Sequence, residues 1–394
     1  MGTIELKPES RTVNSPAHIA GIYLDGFATT ILAPEARSAI LDAWELPANP
    51  ASPHALGERA ADIADRARRQ VAELAGCAPA ELVFTSGATE ADNLAITGVA
   101  RMAPSGRRRV VVSAVEHRAV LEPTQALRAM GFEVAHAPVD ARGIVDLARL
   151  ADVIGDDCWL VSVMTANNET GVVQPVAEIT RMAHERGALM HTDAAQALGK
   201  TPVDLAEWEV DYASVTAHKM HGPVGVGALY VAAGAPTPAP LQVGGGQQAG
   251  RRAGTEAVAL MAGFGAAAAL ANASGTGDQR AQSASLDSFL KALTHEGVVW
   301  EKISADARTI PGGCAIVLDS IDADEVCQRL QSRVFISTCS ACSSGQIGLS
   351  HVLRAMGVSD ERGRSVIRVM TSRYVSKEQA TAAGTLLAEA VRAS

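Results

Sequence analysis

The segment Asp211-Tyr212-Ala213-Ser214-Val215-Thr216-Ala217-His218-Lys219 ends an apolar, strand-like run in a hydroxyl, an imidazole and a lysine. An amine that condenses with an aldehyde must be partly deprotonated near neutral pH, and a pocket that desolvates the ammonium supplies that shift. Upstream, the apolar run Leu189-Met190-His191-Thr192 delivers Asp193 to a second predicted strand end. A carboxylate able to pair with a pyridinium nitrogen, together with such a lysine, is the least that pyridoxal 5'-phosphate chemistry requires. Taken alone, Lys219 reads more readily as a solvated surface lysine and Asp193 as a helix cap. Residues at other predicted strand ends shift that balance.

Between Leu82 and about Val231, short β-rich runs alternate with longer amphipathic segments, the pattern of a mainly parallel sheet covered by helices. Strands are predicted over 82–85, 110–113, 159–164 and 189–192, and helices over 55–74, 119–130 and 176–186. In such sheets ligands bind beyond the carboxyl ends of the strands. At those positions stand Ser86-Gly87-Ala88-Thr89-Glu90, Glu116-His117, Asn167-Asn168-Glu169, Asp193 with Gln196, and Thr216 with His218 and Lys219. Ser86 to Glu90 opens a predicted helix whose free N–H groups and dipole suit a phosphate, although such a cluster by itself reads as an ordinary cap. His117 suits stacking on a ring with proton exchange, or plain structural packing.

The chain of 394 residues carries 34 Lys and Arg against 43 Asp and Glu, a formal net charge of -9. Its one short basic run, Arg107-Arg108-Arg109, makes no footprint for nucleic acid or an anionic membrane. Residues 1–20 are polar, contain prolines and lack a signal-peptide core, and no later run reads as long enough to span a bilayer, so a cytoplasmic location is the expectation. The six cysteines do not form a disulfide framework, and only Cys339 and Cys342 sit close together. The Gly/Ser-rich stretch Ala273-Ser274-Gly275-Thr276-Gly277-Asp278 marks a boundary. The expected organisation is a polar extension without fixed order over 1–20, then a large cofactor-binding domain over 21–272, the first part of which packs with the small domain. A smaller α+β domain over 273–394 follows, with a strand at 314–318 and helices at 324–330 and 377–392.

Ordered motifs then accumulate. They are Tyr23-Leu24-Asp25 with Ala28-Thr29-Thr30, Thr85 to Leu94, Asn167-Asn168-Glu169-Thr170-Gly171, His191 to Gly199, and His218-Lys219-Met220-His221-Gly222-Pro223. Gly244-Gly245-Gly246-Gln247, Arg252-Ala253-Gly254-Thr255-Glu256 and Ser340-Ala341-Cys342 complete them. In this order they resemble the cysteine desulfurases, pyridoxal phosphate enzymes of the aminotransferase class V type, over about Tyr23 to the C-terminus. The resemblance implies a fold-type I α/β architecture with a mainly parallel seven-stranded sheet and a homodimer with active sites at the interface. It also implies removal of sulfur from L-cysteine to leave L-alanine.

Position by position, the resemblance makes Lys219 the Schiff-base lysine, Asp193 the partner of the ring nitrogen, Gln196 a donor to the ring oxygen and His117 the residue stacked on the ring. Ala88, Thr89, Thr216 and His218 would hold the phosphate, with Thr255 reaching in from a second copy. Asn168 and Arg368 would anchor the substrate carboxylate, a planar guanidinium suiting that group. Cys342, on a loop at about 335–350 with the long-loop Ser-Ala-Cys pattern, would take the sulfur as a persulfide and pass it to an acceptor protein. No metal is implied.

Several positions depart from the family pattern. Cys339 stands where the family has glycine, creating a Cys-x-x-Cys pair with too few neighbouring ligands for a metal, and reads as a disulfide-forming partner of Cys342 or as a small apolar filler. Gly26-Phe27 replaces Asn-Ala, Gly348-Leu349 replaces Glu-Pro, and Met370 and Ser372 replace serine and glycine after Arg368. Phe27 is expected to narrow or reshape the substrate pocket, and together the departures suggest a specialised role in a dedicated pathway. Two other functions fit some of the residues. A pyridoxal phosphate C–S or C–Se lyase releasing sulfide or selenide directly would tolerate Cys342→Ser. A sulfur-trafficking interaction protein would keep the fold without needing Lys219, Asp193, Gln196 and His117 together.

Overall fold

The computed structural model describes residues 19–319, 321–339 and 349–393. Residues 1–18 of the expected N-terminal extension, and Cys342, lie outside the described residues.

The chain opens with a two-residue strand, β1 (Ile22–Tyr23). A seven-stranded sheet follows, built from β2 (Leu82–Thr85), β3 (Arg109–Ser113), β4 (Glu133–Ala137), β5 (Cys158–Ser162), β6 (Leu189–Asp193), β7 (Tyr212–Thr216) and β8 (Gly227–Val231). Its spatial order is β2-β8-β7-β6-β5-β3-β4, and only β8 runs antiparallel to its neighbours. Six carboxyl ends therefore share one edge.

These strands read as continuous apolar runs because both faces are covered, as in parallel sheets generally. Alternate residues then serve different cores. Val111 packs in the core that includes helices Ala55–Ala75 and Val176–Glu185, whereas Val110 and Val112 pack with Leu94, Ile96 and Val120 on the opposite face. Predicted and observed strand ends agree to within a residue or two. The helix expected over 119–130 is α-helical only through Arg118–Ala126 and tightens to 3-10 geometry over Leu127–Met130.

The remaining strands are β9 (Trp300–Lys302), β10 (Gly313–Leu318), β11 (Val334–Phe335), β12 (Ser337–Thr338) and β13 (Val366–Met370). Four of them form an antiparallel sheet in the order β12-β13-β10-β9, while β11 pairs in parallel with β1. Leu24 is thereby drawn into a second core with Phe289, Ile316, Leu330 and Leu387. The last helix, Lys377–Arg392, begins at a reciprocal cap: Gln379 N–H donates to Ser376 Oγ (3.2 Å) and Ser376 N–H to Gln379 Oε1 (3.0 Å).

The Gly/Ser-rich stretch around 273–278 is not a loop. It holds a kink: over Val258–His295 two helical halves meet at Gly275, whose backbone leaves helical geometry (φ 18°, ψ -104°). Before the kink, Met261, Phe264, Ala267 and Ala268 sit in the core of the large sheet; beyond it, Leu286, Phe289 and Leu293 sit in the second core. By length and composition this helix could cross a membrane, contrary to the sequence expectation, yet residues 258–271 are all buried or half-buried in the fold.

Candidate active site

A cavity of about 450 Å³ opens at the carboxyl edge of the large sheet. It is lined by residues from five of the strand ends singled out in the sequence: Ala88 and Thr89 after β2, His117 after β3, Asn168 after β5, Asp193 and Gln196 at and after β6, and Thr216, His218 and Lys219 at and after β7. Arg368, on β13, joins them from the second sheet.

The β2 end is shaped by backbone conformation. Gly87 caps helix Ala88–Asn93 with φ 154°, and a Cβ built there would meet only Thr216 Oγ1, at 3.9 Å, so the loop lies open to the cavity. Ala88 and Thr89 N–H are among the groups that a helix start leaves without an internal acceptor. Gly227 of β8 lies between Thr85 and Thr216 in register, and a Cβ on it would come within 2.8 Å of the Gly87 backbone and 2.5 Å of Val215 O. Absence of a side chain at Gly227 is what lets the β2 loop and the end of β7 approach each other.

Lys219 follows Thr216 by a single 3-10 turn, Ala217–Lys219. Its Nζ donates to Phe27 O (2.5 Å) and Ala28 O (2.8 Å). His218 is tied to the N-terminal segment: its Nδ1 lies 3.1 Å from Thr29 Oγ1, and Thr30 N–H donates to its carbonyl (2.9 Å). Burial, followed by the charges of Lys219 and Lys200, pushes the His218 pKa down to about 4, so the ring is neutral near pH 7.

Asp193 is buried, and its Oδ1 accepts from the Ala195 N–H (2.9 Å). Burial raises its pKa, against the opposing effects of the Ala195 N–H, His117 and Lys219. A cation placed in the cavity would favour the ionised form of this acid. Behind it, His191 lies between Ser162 Oγ (2.8 Å) and Ser214 Oγ (3.0 Å), and burial pushes its pKa to about 3.

His117 has its ring exposed at the cavity mouth, with Nδ1 accepting from Ala119 N–H (3.1 Å). The surrounding walls remove enough solvent to lower its pKa, with Asp193 opposing and Lys219 adding to the shift. Its neighbour Glu116 is the anchor: Oε1 accepts from Ser113 Oγ (2.6 Å) and Met164 N–H (2.7 Å), tying the loop to the segment after β5. Burial pushes the Glu116 pKa up to about 8. An acid whose folded-state pKa exceeds its unfolded value near 4.5 contributes stability that is present at low pH and lost as pH rises through about 8. Glu116→Gln should therefore flatten the alkaline limb: between pH 6 and pH 8 the wild type should lose about 2–3 kcal/mol relative to the variant in urea titrations. Equal pH slopes would show that this carboxyl is ionised in the fold.

The loop carrying Asn168 is built by Asn167, whose Oδ1 accepts from Glu169 N–H and Thr170 N–H (both 2.9 Å). Asn168 O then accepts from Arg368 Nη1 (3.3 Å), while Arg368 Nη2 lies 3.5 Å from Asp25 Oδ1. Asp25 is held in turn by Ser337 Oγ (2.7 Å), and Ser337 pairs with Arg368 across β12 and β13. Cys339, one residue beyond β12, is buried with Val115, Ala315, Val317 and Val352.

Phe27 lines the cavity, and its ring is 1% exposed and packs against Gly171 and Gly313, where built Cβ atoms would come within 3.3 and 2.8 Å of it. What Phe27 presents is its carbonyl, which accepts from Gln196 Nε2 (2.9 Å) as well as Lys219. Gly26 is matched to Met370, whose Cγ would lie 2.9 Å from an added Cβ. Thr255 is exposed and does not line the cavity of its own chain.

Two cavity neighbours went unassigned by sequence reasoning. Asp92, three residues after Thr89, lines the cavity fully buried, with His191 Nε2 3.6 Å from its Oδ1 and burial holding its pKa well above the usual carboxylate range. Lys200, four residues after Gln196, is buried with Nζ donating to Gln196 Oε1 (2.8 Å). Its spacing from Gln196 was the available signal.

A parallel α/β sheet with a lysine, a buried acid and an anion-ready helix start at one strand edge defines a class of group-transfer enzyme. The model of the aminotransferase class-V family matches residues 22–382, so the chain belongs to that family. Within it the chain stands with the cysteine desulfurases. It is 39% identical over 381 residues to the cysteine desulfurase IscS of Anaeromyxobacter sp. strain Fw109-5, covering 94% of this chain and 92% of the relative. Among solved structures it is similar to a NifS-like protein (TM-score 0.87, 33% identity, 94% of this chain and 98% of that one). It is also similar to SspA in complex with cysteine (TM-score 0.79, 30% identity, 90% of this chain and 99% of that one).

Proposed function

We propose that this chain is a pyridoxal 5'-phosphate-dependent cysteine desulfurase that converts L-cysteine to L-alanine and holds the released sulfur as a persulfide on Cys342. The observation that carries the reading is the convergence of Lys219, buried Asp193 and the open helix start at Ala88 in one cavity. These residues fit that cofactor by the chemistry of their donors: an anion site at one end, a buried carboxyl for a cationic ring nitrogen, and an amine between other polar groups.

When bound, the cofactor supplies an aldehyde for amine condensation and a ring that withdraws electrons from the substrate α-carbon. Asp193 holds the proton at the ring nitrogen. Gln196 Nε2 donates to the ring oxygen, His117 stacks on the ring face, and Ala88 N–H, Thr89, Thr216 and His218 hold the phosphate. Arg368 and Asn168 hold the carboxylate of L-cysteine. Lys219 moves a proton at the substrate α-carbon. The Cys342 thiolate attacks the substrate sulfur, so that an S–S bond forms as the Cβ–S bond breaks and its electron pair remains with the alanine skeleton.

Both described flanks of the segment bearing Cys342 favour this role. Ser337 and Thr338 pair with Arg368 and Ile367, and Leu349 packs in the same cluster as Cys339. The persulfide then passes to an acceptor protein. A homodimer belongs to the same reading, since Thr255 is exposed on its own chain and available to a second copy's cavity. So does a division into a large domain over 21–272 and a small one over 273–394, supported by the two cores that helix Val258–His295 joins.

Intact mass spectrometry after brief exposure to L-cysteine, with alanine quantified in parallel, tests the proposal. A sulfur-sized adduct on wild type that is absent from Cys342→Ser, accompanied by alanine, is the expected result. Alanine or pyruvate formed without an adduct, and surviving Cys342→Ser, would replace the persulfide mechanism with direct C–S lysis.

A further inference from the structure

Lys200 is a buried charge that the proposed chemistry does not use. It is 5% exposed, and among the described residues no carboxylate oxygen lies within ion-pair distance of its Nζ. The fold brings it there deliberately: Gly199, at φ +75°, turns the chain where an added Cβ would lie 3.0 Å from Met220 Cβ, so Lys200 enters beside Lys219. Both lysines line a small polar space shared with Thr30, His221, Asp278, Met370 and Arg373. The charged and titratable groups around it are mostly cationic or neutral. His218 and His221 have depressed pKa values, to about 4, with Lys200 among the causes, and Arg373 is 3.4 Å from Asp278. Burial, and secondarily Lys219, depresses the Lys200 ammonium itself. Burying an amine in such surroundings is costly unless its hydrogen bond does something specific.

Its Nζ donates to Gln196 Oε1, at 2.8 Å. Gln196 Nε2 in turn donates to Phe27 O at 2.9 Å, the same carbonyl that accepts from Lys219 Nζ. The polar chain therefore runs Lys200, Gln196, Phe27 O, Lys219. An amide has two edges of nearly equal size and opposite hydrogen-bonding character, so packing alone does not decide which one faces a ligand. A lysine ammonium only donates, so turning the amide over would set donor against donor at Lys200 and acceptor against acceptor at Phe27 O.

We propose that Lys200 is a positioning residue that fixes the Gln196 amide so that its donor edge faces the cavity and the ring oxygen of bound pyridoxal phosphate. This rests on the function proposed above and adds to it the device that keeps Gln196 a donor. In the absence of Lys200 the amide presents its carbonyl to an oxygen anion in part of the population, and cofactor binding weakens.

The test is a double-mutant cycle on the cofactor dissociation constant, read by visible absorption as pyridoxal phosphate is returned to apo-protein. Wild type, Lys200→Met, Gln196→Leu and the double variant are compared, with melting temperatures of each apo-protein. Lys200→Met should weaken binding about tenfold and shift the visible maximum, and the double variant should bind within about twofold of Gln196→Leu, because Lys200 acts through Gln196. Lys200→Gln, which keeps an N–H donor, should recover part of the loss. A space-filling role would lower melting temperature while leaving the maximum and the dissociation constant unchanged, and that result overturns the proposal. So does a double variant whose loss equals the product of the single losses. Should Lys200→Met fail to melt cooperatively, Lys200→Gln decides: binding as weak as that of Gln196→Leu overturns the assignment, and binding clearly tighter supports it. A wild type with no visible band would remove the cofactor reading itself, an outcome distinct from a band that ignores Lys200.

Discussion

Replacing Lys219 by alanine should reduce alanine formation from L-cysteine by at least about four orders of magnitude. It should also remove the visible absorption of the cofactor-loaded wild type. Lys219 is the only lysine lining the main cavity among the described residues. The nearest other amine, Lys200, is engaged with Gln196 and lines a different space. No other group at the site both condenses with an aldehyde and moves a proton at the α-carbon, so the loss is not shared out among neighbours. The fold should survive, because truncation forfeits the bonds to Phe27 O and Ala28 O while removing a half-buried charge. Alanine release, absorption spectra and the melting temperature of the apo-protein check each part. Activity above about 1% of wild type would mean that another base serves the reaction.

Asp193→Asn is the second large effect: kcat should fall by about a thousandfold, some 4 kcal/mol of transition-state stabilisation, with KM for L-cysteine changed by less than about threefold. The substitution keeps the side chain's size and its acceptor for Ala195 N–H, so it isolates charge from geometry. Asp193 is 6% exposed, and water cannot replace the lost charge. In the folded chain its carboxyl is held up in pKa by burial, against His117 and Lys219. Only a cation at the ring nitrogen would pull it fully into the ionised form, and that ionised form is what keeps the ring electron-withdrawing. Cofactor binding should persist, visible as a retained band, because the phosphate end of the cavity is untouched. A kcat within about fivefold of wild type would mean that the buried acid has no part in catalysis.

The parts of the site that were legible in the sequence share a local cause. Strands buried on both faces must be continuous apolar runs, and the polar residues that follow such runs are marked out by contrast. Ala88, Thr89, His117, Asn168, Asp193, Thr216, His218 and Lys219 were all found this way, and the cavity gathers them. Gln196 followed from Asp193, and the final helix announced itself through Ser376 and Gln379. Arg368 emerged only from resemblance, since nothing local distinguishes it from any strand arginine.

What the sequence determined by itself was therefore the alternation of elements, the chemistry at each strand end and, through ordered motifs, the family. Tertiary structure decided everything that depends on contacts between distant segments. The glycine- and serine-rich stretch at 273–278 has the composition of a loop, yet the chain only kinks there, at Gly275, between two helical halves whose apolar residues belong to two cores. Phe27 turned inward because Gly171 and Gly313 leave room for its ring, and no local rule reveals a vacancy made by residues some hundreds of positions away. The contact of Arg368 with Asp25, and of both Gln196 and Lys219 with Phe27 O, arises the same way. Side-chain direction, desolvation and shared hydrogen-bond acceptors are properties of an enclosed space, and that space exists only once the sheet edge has been assembled.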